Sequence, residues 1–127
     1  MKKKILIVDD EPDVASTVEF NLKESDGEYE VAWVNSGKGC LELLEKNQIP
    51  DLIMLDIMMP EMSGWEVFSK IKENQIWAKI PIIFLTARID RTAEKAGNFL
   101  GDDYIEKPYD PVDLKKRVND VLKKNEK

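Results

Sequence analysis

Three acids and one amine in this sequence stand where apolar runs come to an end. Asp9 and Asp10 follow the run at 5–8, Asp56 follows the run at 52–55, and Lys107 closely follows Tyr104-Ile105. Runs without polar alternation predict strands buried on both faces, as in a parallel sheet covered by helices. In such sheets, ligands and chemistry collect at the carboxyl ends of the strands. Two unit charges about 4 Å apart repel by roughly 4 kcal/mol at an effective dielectric of 20, so convergent carboxylates need a counter-charge or a proton. A divalent cation meets that need. An all-oxygen, partly open site favours Mg2+, which keeps waters and joins phosphate oxygens to carboxylates. With the Lys107 ammonium added, the charges of three carboxylates and Mg2+ cancel, and an incoming dianionic phosphoryl group meets no net repulsion. Thr86, at another strand end, adds a hydroxyl donor at the same rim. The bland alternative, that loop acids cap the following helices, suits Asp9 or Asp10 singly better than all three acids together. Asp51, Asp102 and Asp103 precede strands and so belong to the opposite rim, where solvation and helix-end roles suffice.

The elements that must hold these groups follow in order. Pro12 suits the first turn of a helix whose inward stripe is Val14, Val18 and Leu22, closed by Asp26-Gly27. The segment from Tyr29 to Val34 alternates only in part and predicts an edge strand. Ser36-Gly37 opens a helix with Cys40, Leu41, Leu43 and Leu44 as its core residues, ended by residues 47–50. After Asp56, Pro60 and Gly64 force the chain out of the sheet, and residues 65–72 form an amphipathic helix through Val67, Phe68 and Ile71. Residues 80–86 predict a third buried strand, with Pro81 tolerable near its start. A helix at 90–100 would bury only Ala93, Ala96, Gly97 and Leu100, so it should be weakly held. Tyr104-Ile105 is a short last strand, and Leu114, Val118, Val121 and Leu122 mark a closing helix. Five strands alternating with five helices predict an α/β fold with a five-stranded parallel sheet and right-handed crossovers. With the most apolar strands inside, the flavodoxin-like order 2-1-3-4-5 sets the ends of the first and third strands side by side.

Composition narrows the function classes. The 127 residues carry a net charge of −6, no His and one Cys. We expect one domain over residues 1–127. The acidic balance argues against nucleic acid or an anionic membrane as a direct partner. Without His there is no imidazole chemistry, and most zinc sites are excluded. The lone Cys40 fits a reducing, cytoplasmic setting. The run at 5–8 is too short for the core of a signal peptide, and no later run approaches a membrane span. Trp33, Trp65 and Trp77 are read as packing residues, and the Lys-rich stretch 115–127 as a solvated helix face.

Together these segments resemble the receiver domain of two-component response regulators. Asp9-Asp10, Asp56 with Pro60 and Gly64 in DIMMPEMSG, Thr86-Ala87, and Tyr104 with Lys107-Pro108 in DDYIEKPY match that family's motifs in order and spacing. The resemblance covers the whole chain. It implies that Asp56 is the phosphoacceptor, taking a phosphoryl group from a phosphohistidine on a sensor histidine kinase or histidine phosphotransfer protein. It further implies Mg2+ on Asp10, Asp56 and the Met58 backbone carbonyl, with Asp9 assisting through water. Phosphoryl oxygens would be held by Lys107, the Thr86 hydroxyl and backbone N–H groups near Met58 and Ala87. The family also links Thr86 to Tyr104: the hydroxyl moves toward the phosphoryl group and the ring turns inward. The implied output face is segment 90–100, the last strand and the closing helix, acting on a downstream protein target as a monomer or a phosphorylation-dependent dimer. The implied catalysis is of the chain's own phosphorylation and dephosphorylation rather than turnover of an outside substrate. Leu100-Gly101 departs from the family's usual Gly-Ala, and Met58 and Arg88 occupy variable positions that influence acyl-phosphate lifetime.

Other functions fit less well. A Mg2+-dependent phosphohydrolase of the haloacid-dehalogenase class places a second Asp two residues after its nucleophile, where this chain has Met58. A flavin module would have its phosphate repelled by DDEPD at 9–13. A binding module that never takes phosphate has no need of the intact acids, Thr86 and Lys107.

Overall fold

The computed structural model describes residues 2–23, 29–86, 103–107 and 109–125. The apolar runs pair into one parallel sheet of β1 (Lys3–Val8), β2 (Tyr29–Val34), β3 (Leu52–Asp56), β4 (Ile82–Thr86) and β5 (Asp103–Glu106). Their order is β2-β1-β3-β4-β5, the flavodoxin-like arrangement expected from the sequence. Successive side chains on a strand point to opposite faces, so each run supplies two cores at once. Ile5, Ile7, Leu52, Met54, Ile83 and Leu85 pack on one face with α1 (Pro12–Lys23) and the C-terminal helix α4 (Pro111–Lys124). Leu6, Val8, Ile53, Leu55, Ile82 and Phe84 pack on the other, with α2 (Gly37–Glu45) and α3 (Gly64–Glu73).

Local chemistry sets where the helices begin. Ser36 accepts a hydrogen bond from the Gly39 N–H at 3.0 Å and caps α2. Ser63 and Glu66 form a reciprocal capping box at the start of α3, satisfying two N–H groups left open there. Pro111 opens α4, where a missing N–H costs nothing.

Several expectations shift in detail. In α1 the inward residues are Ala15, Val18 and Leu22, and Val14 is only partly buried. In α2, Cys40 and Leu44 are buried while Leu41 and Leu43 lie at the margin, because so short a helix turns only a narrow stripe inward. β4 starts at Ile82 rather than Ile80. Ile80 and Pro81 are buried ahead of it, and the Pro81 carbonyl accepts the Ile53 N–H at 3.0 Å, so a residue without an N–H still ties into β3. Among the described residues there are four α-helices and one 3-10 turn (Trp77–Lys79). The helix expected at 90–100 and the turn at Asp26-Gly27 lie outside them.

Candidate functional site

Strand register brings the acids together. Val8 pairs with Leu55 on the two adjacent central strands, and one residue further along each comes an acid, Asp9 and Asp56. Both are buried, with Asp56 2% exposed and Asp9 fully enclosed, while Asp10 is half-buried. One oxygen from each of Asp9, Asp10 and Asp56 lies within 4.8 Å of the others. Lys107, just past β5, reaches across the rim: its ammonium sits 2.8 Å from Asp9 Oδ2, 3.5 Å from Asp56 Oδ1 and 3.9 Å from Glu11 Oε1.

The loop after β3 is built close around Asp56. Ile57 N–H donates to Leu85 O at 3.0 Å, and Gly64 N–H to Ile57 O at 2.9 Å, so the start of α3 folds back onto the strand end. A Cβ on Gly64 would collide with the Asp56 carbonyl oxygen and stand 2.8 Å from Ile57 Cα. Only glycine permits that approach. Between them, Met62 N–H donates to Pro60 O at 2.7 Å around Glu61 at φ 67°, a tight three-residue turn.

The electrostatics of the pocket are unbalanced as it stands. Asp56 is pushed up to about 7, first by burial and then by the charge of Asp9 and the nearby Asp10 carboxyl, against the downward pull of Lys107 and the Met58 N–H. Burial alone would lower Lys107, but its hydrogen bond to Asp9 and the charges of Asp56, Asp9 and Glu11 outweigh it, so its ammonium is held. Asp9 has both oxygens engaged, Oδ1 by the Glu11 N–H at 2.9 Å and Oδ2 by Lys107. Asp56 Oδ1 takes the Met58 N–H at 3.4 Å, whereas Asp56 Oδ2 and Asp10 Oδ1 are buried with no hydrogen-bond partner among the described residues. Buried acceptors left unpaired are costly. Two such oxygens beside a third carboxylate fit a hard divalent cation with oxygen ligands.

Other sequence candidates lie in varied places. The Met58 side chain is 73% exposed at the pocket's edge. Thr86 ends β4, pairing with Glu106, but its hydroxyl, like Ala87, Arg88, Leu100, Gly101 and Pro108, lies outside the described parts of the structure. Tyr104 in β5 is half-buried against the core that contains Phe84. Asp51 and Asp103 lie at the amino ends of β3 and β5. Sequence reasoning missed two neighbours of the site. Glu11 is a third carboxylate within 4 Å of the Lys107 ammonium, beside Asp9 and Asp56, and Trp33, read as packing only, donates its indole N–H to the Asp9 carbonyl at 2.8 Å. The one available clue for Trp33 was register: it pairs with Ile7, two residues before Asp9, once β2 is set beside β1.

A doubly covered parallel sheet in this strand order, with buried acids beside a lysine ammonium at the carboxyl rim, defines a flavodoxin-like α/β domain with a charged site where such sheets gather their ligands. The sequence matches the response regulator receiver domain family over residues 5–119, and the chain belongs to that family. It is 36% identical over 99% of its length to the alkaline phosphatase synthesis transcriptional regulatory protein PhoP of Bacillus subtilis, covering 51% of that protein. It is 40% identical over its full length to the regulatory protein VanR of Enterococcus faecium, covering 53% of it. The chain thus spans about half the length of these two regulators. Among solved structures, a CheY-like receiver domain protein from Methanospirillum hungatei superposes with a TM-score of 0.86 at 28% identity, over 98% of this chain and 97% of that one. A Francisella response regulator receiver domain gives 0.86 at 28% identity, over 98% of this chain and 100% of that one. Receiver domains of this family are phosphorylation-activated switches of two-component systems, working between histidine kinases and downstream effectors. Among the described residues no helix is long and apolar enough to cross a membrane.

Proposed function

We propose that this chain is one receiver domain over residues 1–127 and that Asp56 is its phosphoacceptor. The observation that carries this reading is the buried, unpaired Asp56 Oδ2 beside an ammonium and two further carboxylates. Asp9 is a poorer nucleophile, since both its oxygens already accept hydrogen bonds. In the reaction, the P–N bond of a partner's phosphohistidine breaks as a bond forms between phosphorus and an Asp56 carboxylate oxygen. Such transfer asks for in-line positioning and charge balance more than for a general base, which suits a chain without His.

Asp9, Asp10, Asp56 and the Met58 carbonyl would hold Mg2+. Bound there, the ion supplies positive charge against the carboxylates and the phosphoryl oxygens. Lys107 neutralises from the end of β5 at the same rim, and backbone N–H groups near Met58 and Ala87, with the Thr86 hydroxyl, take the remaining phosphoryl oxygens. Thr86 and Tyr104 act as the switch pair, and segment 90–100, β5 and α4 form the face that a downstream protein target reads, with the chain acting as a monomer or a phosphorylation-dependent dimer. The donor is a sensor histidine kinase or histidine phosphotransfer protein, and the setting is cytoplasmic. The phosphohydrolase reading is disfavoured because the residue two positions after Asp56 is Met58, a side chain that is exposed and carries no proton to give a leaving group.

Intact mass after treatment with acetyl phosphate tests the proposal. Wild type should gain one phosphoryl group with Mg2+ and none with a chelator, and Asp56→Asn should gain none. An adduct on Asp56→Asn as abundant as on wild type would place the acceptor elsewhere.

A further inference from the structure

We propose that Trp33 is a positioning residue for the acidic pocket, so that the edge strand β2 sets how tightly the pocket binds a divalent cation. The inference rests on the reading of Asp9, Asp10 and Asp56 as a Mg2+ site. Asp9 is tied at every polar group. Its N–H donates to Val34 O at 3.2 Å, and its carboxylate accepts from the Glu11 N–H and from Lys107. Its carbonyl accepts the Trp33 indole N–H at 2.8 Å.

This last bond is the one that reaches a neighbouring ligand. The Asp9 carbonyl belongs to the planar peptide unit that carries Asp10, so fixing the direction of that carbonyl fixes where the Asp10 Cα sits. Asp10 contributes an oxygen to the acid cluster, and among the described residues its buried Oδ1 has no hydrogen-bond partner, so its placement leans on the backbone that carries it. Trp33 and Val34 together clamp Asp9 from β2, one through a side chain and one through the backbone.

Packing alone does not account for an indole here. Trp33 is 41% exposed on an edge strand, where another aromatic would serve the pleated surface as well. What tryptophan adds is a donor-only N–H on a long rigid arm.

The test compares Trp33→Phe, which keeps an aromatic ring and removes the donor, with Trp77→Phe as control. Calorimetric titration with Mg2+ should give a Kd about five- to tenfold weaker for Trp33→Phe, the effect of one ordinary hydrogen bond. Trp77→Phe should match wild type. Melting with and without Mg2+ separates positioning from general stability. A positioning role shrinks the Mg2+-dependent rise in Tm, whereas a purely structural one lowers both melts equally. In the folded Trp65→Phe/Trp77→Phe protein, whose single indole is Trp33, emission should change on Mg2+ addition with the calorimetric Kd. Trp33→Phe binding Mg2+ as tightly as wild type, or an indole silent to a cation that calorimetry shows bound, overturns the inference while leaving the site reading intact. Failure of wild type to bind Mg2+ sinks both.

Discussion

The two ends of the sheet carry the same residue type to opposite effect. At the amino end, Asp51 is exposed, accepts the Lys4 N–H at 2.7 Å and returns its own N–H to Lys4 O at 2.7 Å. Asp103 pairs with Arg117 at 2.8 Å, and Arg117 also bonds Asp113 and the Tyr104 carbonyl. Each acid there has a donor of its own. At the carboxyl end Asp9, Glu11 and Asp56 share one lysine, and among the described residues two buried oxygens, Asp10 Oδ1 and Asp56 Oδ2, have nothing to accept. Having a cleft does not by itself mark a site of this kind: one of about 1040 Å³ lies at the amino end, lined in part by Lys3, Asp51, Lys72 and Lys79. The difference is charge gathered where it is largely buried, so that each interaction is worth more than it would be in water.

Four measurements test the contrast between the two rims. The largest effect is expected from Gly64→Ala, whose Cβ meets backbone rather than a flexible side chain. It should cost about 4 kcal/mol in urea denaturation, above the usual range for overpacking because backbone cannot yield as a side chain can. A loss under 1 kcal/mol would mean the carboxyl rim is no more tightly built than the amino rim.

Next comes the pH dependence of Asp56→Asn. The folded-state value for Asp56, about 7, lies above the unfolded carboxylate value. Below about pH 4 both states hold the proton and nothing is lost. Between about 4 and 7 the folded state keeps a proton the unfolded state has released, so wild-type stability falls as pH rises, levelling off above about 7. Without Mg2+, Asp56→Asn should therefore be more stable than wild type at pH 8, by about 3 to 4 kcal/mol at most, and the gain should fade toward pH 4. A gain that grows on acidification reverses the sign and refutes the account.

For metal binding, Asp10→Asn should weaken Mg2+ affinity by about 100-fold or more, measured by calorimetry, since changes even to groups behind the ligands cost 10- to 100-fold. Asp51→Asn, at the other rim, should leave affinity unchanged. The smallest effect belongs to Asp51→Ala, which loses an exposed contact to the Lys4 N–H and should shift stability by about 1 kcal/mol or less.

Much of the carboxyl rim was legible before any coordinates. An apolar run ending in an acid specifies both a buried strand and the place where the chain must emerge, because strand burial and chain exit are written in local residue types. Asp9, Asp56 and the strand order followed from that. Gly64 was legible as a tight point, though not as the residue whose missing Cβ leaves space for the Asp56 carbonyl. The inward stripe of α1 was off by one residue at Val14 and Ala15, because a helix's rotation about its axis is set by what it packs against.

Periodicity and turn chemistry act over a few residues and need no partner to be read, so local residue types name the set of groups and the rim on which they emerge. How those groups divide their hydrogen bonds emerges only in the folded chain. Lys107 sits nearer Asp9 than Asp56, Asp56 keeps one oxygen open, and Trp33 reaches across from β2 to hold the Asp9 carbonyl. Those choices turn on distances of a fraction of an ångström between residues up to 98 positions apart, and no local pattern encodes them.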